Sequence, residues 1–369
     1  MSPVKMNNPF TPTFGSIPPL LAGREQIIRD ILDGLDNAPG DPNRTTIFIG
    51  ARGTGKTVLL AKLTEEASAQ GWVSANVTAK EGLLKEILMQ IKDNATDFIT
   101  PDSLSRITGV EIVGFSISRS AVEEPERTWR SKLTALIKEL NEQGIGLLIT
   151  VDEVDAQCAP LRDVVDTYQH LVRERRNVAL MMAGLPNNIS QLLRDEKISF
   201  LRRAFQQRLD AVPKDEVAFA LRKTVETAGR AINSKALELA AESTQGFPFM
   251  IQLVGYNIWR QNPQHKTISL EDTKHGVRLA ENDMRRMIFD STIHDLSEQD
   301  IRFLVTLARI GGESDTTQIA AAWGKNVNYT SKYRKRLLEQ GIIGERMFGK
   351  IDFDIPLLGE YILERFPEF

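Results

Sequence analysis

At 369 residues the chain is long enough for two or three domains at ~150 residues each, and its 41% apolar and 26% charged content is ordinary for a globular protein in water. A net charge of −3 excludes a chain that is basic throughout, so any nucleic-acid surface must be local, while a single cysteine, Cys158, excludes an internal disulfide and four histidines exclude a His/Cys zinc cluster. A polar, Pro-rich start, together with a longest apolar run of only Ile145 to Val151, predicts a cytoplasmic protein with no membrane partner.

Residues 1–19 carry Pro3, Pro9, Pro12, Pro18 and Pro19 without periodicity and read as an extended arm. Leu21-Ala22-Gly23-Arg24-Glu25 leads into a helix in which Ile27, Ile28, Ile31, Leu32 and Leu35 keep a 3.6 spacing, closed by Pro39 to Pro42. The β-branched run Thr45 to Ile49 is the first strand. It delivers Gly50-Ala51-Arg52-Gly53-Thr54-Gly55-Lys56-Thr57, followed by Val58, which has the pattern of a phosphate-binding loop.

Each residue type in that loop has a reason. The glycines let successive backbone N–H groups curl around an anion, Lys56 reaches the terminal phosphates, and the Thr57 hydroxyl suits Mg²⁺. Val58 to Leu63 opens a helix whose N-terminal dipole faces the phosphates. A bare Gly-rich turn before a helix would need none of the other constraints.

The helix runs to about Gln70, Gly71 stops it, and Trp72 to Val77 is a second strand. Residues 81–98 are amphipathic through Leu84, Ile87, Leu88 and Ile91. Residues 107–118 alternate around Gly109 and Gly114 as an inserted hairpin does, and Trp129 to Leu140 forms another helix closed by Gly144.

Leu147 to Val151 is an apolar run ending in the adjacent carboxylates Asp152 and Glu153. It fits a central parallel strand with its carboxyl end in a ligand crevice. Asp152 would hold Mg²⁺ through water and Glu153 would polarise an attacking water. Capping of the next helix, the bland role for such carboxylates, suits Asp155 better.

A helix over 160–176, a strand Val178 to Ala183, a short helix near Ile189 to Leu193 and a strand Gln207 to Val212 continue the alternation of a parallel sheet. From Pro213 the β signal ends, and residues 215–228, 234–243, 247–260 and 270–289 carry helical spacing, the pattern of a helical lid.

Beyond Leu296, Ser297 with Asp300 and Asp315 with Gln318 mark two helix starts, and Asn328 caps a third helix that ends at Gly341. Ile342 to Arg346 and Ile351 to Asp354 flank a tight turn. Three helices and a ribbon make a winged helix. In its third helix Tyr333 and Leu337 should face the core while Lys332, Lys335 and Arg336 share another face. A solvated face is the plain alternative, but the local excess of cations favours duplex DNA. Asn328 and Arg336 would then lie near base edges, with Lys332 and Lys335 beside them, and Arg346 and Lys350 would touch flanking phosphates.

These motifs together resemble the AAA+ ATPases, and more narrowly the archaeal origin-recognition initiators and related bacterial proteins that join an ATPase core to a C-terminal winged helix. The resemblance rests on Gly23 to Glu25, Gly50 to Thr57, Asp152-Glu153, Gly246 to Pro248 and the terminal unit. It implies an α/β P-loop AAA+ parallel-sheet core over 20–212, a lid over 213–290 and a winged helix over 291–369. It also implies ATP and Mg²⁺ as ligands, homo-oligomers formed on ATP binding, and an arginine finger for which Arg202 and Arg203 match by position.

Two departures bear on rate. Phe249 stands where such motors often carry a lid arginine, and Ala183-Gly184-Leu185-Pro186 precedes Asn187 and Asn188 where a polar sensor is expected. The expected function is a slowly hydrolysing ATP switch that binds DNA. The alternative is a STAND-like signalling or defence ATPase whose winged helix docks protein.

Overall fold

The computed structural model of the protein describes residues 7–13, 15–100, 103–104 and 128–369. The hairpin expected over 107–118 and the first residues of the expected arm lie outside the described residues. Among the described residues no helix is long and apolar enough to cross a membrane.

The first layer set is a five-stranded sheet. In chain order it uses α1 (Glu25–Asp36), β1 (Thr45–Ile49), α2 (Lys56–Ala69), β2 (Val73–Thr78), α3 (Leu83–Asn94), α4 (Trp129–Glu142) and β3 (Leu147–Asp152). It continues with α5 (Ala159–Arg173), β4 (Val178–Gly184), α6 (Pro186–Arg194) and β5 (Phe205–Arg208). The strand order is β2-β3-β4-β1-β5, all parallel.

Alternation along each strand divides the core into two faces. Ile47, Ile49, Ile149, Leu180 and Met182 point to the side covered by α3, α4 and α5, while Phe48, Leu148, Ala179 and Met181 point to the side of α1 and α2. Because both faces are covered, β4 reads as an unbroken apolar run and β3 as one interrupted only by Thr150 before it ends in Asp152. Ile49 pairs with Gly184 on one side and Arg208 on the other, so the strands that lead into Gly50, Leu185 and Leu209 end level.

The fifth strand lies two residues earlier than expected and is shorter. Phe205 is exposed at this sheet edge, whereas the apolar residues that suggested a strand, Leu209 and Val212, are buried just after it. There the backbone has turned away, and Val212 N donates to Gly246 O of the next helical group.

That group comprises α7 (Lys214–Thr227), α8 (Ser234–Ser243), α9 (Pro248–Arg260) and α10 (Leu270–Met284). It also contains β6 (Ala231–Ile232) paired in parallel with β7 (Thr267–Ile268), which corrects the all-helical expectation: two-residue strands are too short to leave a periodic signal. In the arm, Asn8 Nδ2 donates to Tyr256 O at 3.0 Å and Phe10 is buried against α9.

A π-helical stretch, Arg285–Phe289, carries the helix path on into α11 (Asp290–His294). Then come α12 (Glu298–Arg309), α13 (Thr316–Trp323), α14 (Val327–Glu339), the antiparallel strands β8 (Ile343–Glu345) and β9 (Ile351–Phe353), and α15 (Leu358–Arg365). Both expected capping boxes are present, Ser297 with Asp300 and Asp315 with Gln318. The third helix is capped by Asn326, whose side chain accepts from Tyr329 N at 2.8 Å, and not by Asn328, which is exposed in the first turn. Both asparagines obey the capping rule, and the extended backbone of Asn326 decides between them. Helix α15, which the sequence reading omitted, packs on α12. The lid helices and this terminal unit share one apolar core.

Candidate functional site

The site is built at the carboxyl ends of β1, β3 and β4. Leaving β1, the loop turns through Gly53 (φ 78°) and Gly55 (φ 85°), left-handed positions that suit glycine, and Gly55 stands as the N-cap of α2. The start of α2 thus presents free N–H groups and a favourable dipole to an anion. Gly53 is also needed for space, since a Cβ there would lie 2.2 Å from the Phe247 ring of the lid.

Lys56 is folded into the loop. Its Nζ donates to Gly50 O at 2.8 Å and Ala51 O at 2.5 Å. Burial pulls its pKa down to about 8, with Arg52 adding to the effect and the carboxylates of Asp152, Asp354 and Glu153 opposing it.

One position along α2, the Thr57 hydroxyl donates to Asp152 Oδ2 at 2.5 Å. The hydroxyl and carboxylate expected to serve Mg²⁺ are therefore in contact, although one comes from helix α2 and the other from strand β3, 95 residues apart. Among the described residues no group of three His, Cys, Asp or Glu gathers elsewhere for a metal. Mg²⁺ commonly takes one or two carboxylates and completes its shell with phosphate oxygens and water, so this donor set fits it.

Glu153 follows with φ 50°, a left-handed conformation rare for a side chain of this kind, and it is exposed. Its own N–H donates to Asp152 Oδ1 at 2.8 Å, which fixes the turn and turns Glu153 away from the strand. Strain of this sort persists where the surroundings impose it and clusters at functional sites.

The segment after β4, where a sensor was expected, divides its two amides. Asn188 Nδ2 donates to Val154 O at 3.1 Å and so ties α6 to the acidic turn. Asn187 lines the cleft beside Gly50 and Thr54, and its buried Nδ2 has no hydrogen-bond partner. Of the two, Asn187 faces the site. On the other flank, Arg24 of the Gly-Arg-Glu box is buried and donates through Nη2 to Asp210 O at 2.8 Å, behind the lid.

The cleft has a volume of 1040 Å³ and three walls. The loop and α6 form one, Gln245, Phe247 and Pro248 of the lid form another, and the third comes from the terminal unit through Arg334, Lys335, Leu338, Arg346 and Asp354. The third wall was not expected, because contacts between residues so far apart leave no periodic trace in a sequence.

The finger candidates lie elsewhere. Arg202 and Arg203 are exposed in a short 3-10 segment before β5, with Arg202 Nε donating to Leu193 O at 2.8 Å. Arg203 borders a second cleft with Thr45 and Val178, at the amino ends of β1 and β4. That is the end of the sheet opposite the loop, so neither arginine is placed to serve its own loop.

The DNA candidates are only partly brought together. Asn328, Lys332 and Lys335 are exposed on α14, and Lys350 lies 3.6 Å from Glu313. Arg336, expected at a base edge, is instead bound to Asp300 and donates to Ser297 Oγ at 2.8 Å. Arg346, expected on flanking phosphates, donates to Asp354 Oδ1 and Phe353 O, both at 2.9 Å. Spacing along the helix gave Arg336 a face and position on the ribbon gave Arg346 one, without revealing that acidic partners already pack against them.

A family model described as a domain of unknown function (DUF8462) matches residues 286–362. Among solved structures, the chain is similar to the Walker-type ATPase PABY2304 of Pyrococcus abyssi, with TM-score 0.65 and 14% identity over 93% of this chain and 96% of that one. It is similar to the ORC2 protein of Aeropyrum pernix in its ADPNP-ADP complexes, with TM-score 0.62 and 16% identity over 96% and 95% of the two chains. The ADP form of that protein aligns with TM-score 0.53 and 15% identity over 97% of this chain and 98% of that chain. These likenesses concern the fold: a P-loop α/β core of the AAA+ type with a helical C-terminal region.

Proposed function

We propose that the chain is a cytoplasmic ATP-dependent switch of the AAA+ type, related to the initiator-like ATPases, that hydrolyses slowly and engages duplex DNA through residues 291–369 as a winged helix. The observation that carries this reading is the meeting of Thr57 and Asp152 beside Lys56 at the N-terminus of α2. Two of the similar structures are the ADPNP-ADP complexes and the ADP form of the Aeropyrum pernix ORC2 protein, and that supports a nucleotide in this cleft.

The residues divide the work. Gly50 to Val58 cradle the phosphates, and Lys56 leaves its backbone carbonyls to meet their charge. Thr57 and Asp152 would hold Mg²⁺, which when bound neutralises charge on the terminal phosphates. Glu153 orients and deprotonates the attacking water, and Asn187 offers its free amide to the terminal phosphate or that water. Arg202 or Arg203 of a neighbouring subunit completes the charge, which is why oligomers form on ATP binding. With Phe249 after Gly246-Phe247-Pro248, the lid brings no cation there, in keeping with a slow rate.

Lys332, Lys335 and Lys350 remain for phosphate contacts, with Asn328 exposed at the start of α14. A second reading, a STAND-like ATPase that docks protein, is favoured by one feature: Met347 and Phe348 at the ribbon tip are 72% and 90% exposed. Titration of a labelled duplex with the full chain, Mg²⁺ and a non-hydrolysable ATP analogue across a salt series separates the two. The DNA reading expects affinity to fall steeply with log salt, and flat or absent binding would favour protein docking.

A further inference from the structure

The terminal unit does more than lie near the phosphate loop; it is docked on it. Helix α14 packs on α6. At Gly341 (φ 69°) a Cβ would stand 3.1 Å from Leu185 and 3.6 Å from Arg52 Cγ, so the chain leaving α14 passes directly over the loop. The ribbon then places Asp354, with a side chain 10% exposed, in the cleft wall opposite Gly50 and Thr54.

Asp354 is held from one side and serves the other. Arg346 Nη1 donates to its Oδ1 at 2.9 Å, and Arg346 Nη2 to the neighbouring Phe353 O, which fixes the carboxyl in place. Asp354 lines the same cleft as Gly50 and Ala51, whose carbonyls hold Lys56 Nζ, so the carboxylate and the lysine attract each other across that cleft. One buried carboxylate thus serves two cations, a ribbon arginine by contact and the loop lysine through space. A phosphate chain is the other anion that Lys56 is built to hold.

We propose that Asp354 is an internal competitor of the nucleotide's phosphates, so that docking of the β8–β9 ribbon and occupancy of the phosphate loop by a triphosphate oppose each other. The inference rests on the nucleotide reading above. A triphosphate brings more negative charge to Lys56 than a diphosphate does, and an anion already buried there repels it in proportion. The opposition is reciprocal: whatever triphosphate loses in affinity to docking, docking loses in stability to triphosphate. Arg334 pairs with Glu345 of the ribbon at 2.9 Å, so displacing the ribbon also frees Arg334 for an external partner.

Two measurements on the full chain test this, each with Mg²⁺ and either a non-hydrolysable ATP analogue or ADP. In calorimetry, Asp354→Asn should bind the analogue about 5- to 50-fold more tightly than the unaltered protein, with a smaller gain for ADP. In hydrogen exchange of the unaltered protein, saturating analogue should slow exchange over 50–57 and speed it over 341–356. Equal or weaker binding by Asp354→Asn, in a protein that does bind the analogue, would overturn the competitor role. So would unchanged or slower exchange over 341–356. If the unaltered protein binds neither nucleotide, the nucleotide reading falls and this inference with it.

Discussion

The guanidinium of Arg336 in α14 closes on Asp300, a carboxylate with no exposed surface in the first turn of α12. Asp300 also accepts from Ser297 N at 2.9 Å and Ser297 Oγ at 2.6 Å, so a capping box and an ion pair share one acceptor. Arg336 thereby fastens the third helix of the terminal unit to the first.

Replacing Arg336 with Ala should therefore lower stability by about 1–3 kcal/mol, the cost of leaving a buried acceptor short of a donor. Urea unfolding checks this. A fall in DNA sequence preference with unchanged stability would instead return Arg336 to a base edge.

Lys332 and Lys350 carry the opposite expectation. Each lies on the surface, so alanine should leave folding intact and flatten the slope of log affinity against log salt by about 1 unit for any duplex. Lys335 lines the cleft beside Gly50, so under the nucleotide proposal its replacement should matter more with the ATP analogue than without it. A slope unchanged by all three would remove DNA from this face.

Because Arg203 and the phosphate loop lie at opposite ends of the sheet, hydrolysis should depend on neighbours. Turnover per subunit should rise with protein concentration, and mixing Arg203→Ala or Arg202→Ala subunits with Glu153→Gln subunits should restore activity that neither has alone. An arginine in trans contributes ~10³ to 10⁵ in rate. Activity strictly linear in concentration, with no rescue on mixing, would contradict the arrangement.

Tyr168 offers a pH test of the sheet's far end. Its hydroxyl contacts Thr45 Oγ1 at 2.6 Å and donates to Arg44 O at 3.0 Å, and burial pushes its pKa up to about 12. Between the ordinary tyrosine value of ~10 and 12 the unfolded chain binds fewer protons than the folded one, so stability falls as pH rises through that window. Tyr168→Phe should cost about 1 kcal/mol at pH 7 and show a shallower alkaline loss. Parallel alkaline profiles for the two proteins would contradict this.

The glycine turn into α2, the end of β3 at Asp152 and the central strands were legible in the sequence because each is a local pattern: glycines at fixed offsets, or an apolar run buried on both faces. The edge strand was misplaced because Phe205 to Arg208 is held by only one neighbour and buries little, while Leu209 and Val212 bury more without being strand. The acidic partners of Arg336 and Arg346 were hidden for a related reason. Spacing along a helix or ribbon says which residues share a face, but Asp300 and Asp354 reach those faces only through the fold. The third wall of the cleft is likewise a long-range contact, between the loop at Gly50 and a ribbon at the far end of the chain.

The central claim is that the loop around Lys56 binds a nucleoside triphosphate with Mg²⁺, and calorimetry on the unaltered chain beside Lys56→Ala and Glu153→Gln tests it most directly. The account predicts saturable binding of a non-hydrolysable ATP analogue by the unaltered protein and by Glu153→Gln, with no measurable heat for Lys56→Ala. Normal binding by Lys56→Ala, in a protein whose unfolding profile matches the parent, would contradict it.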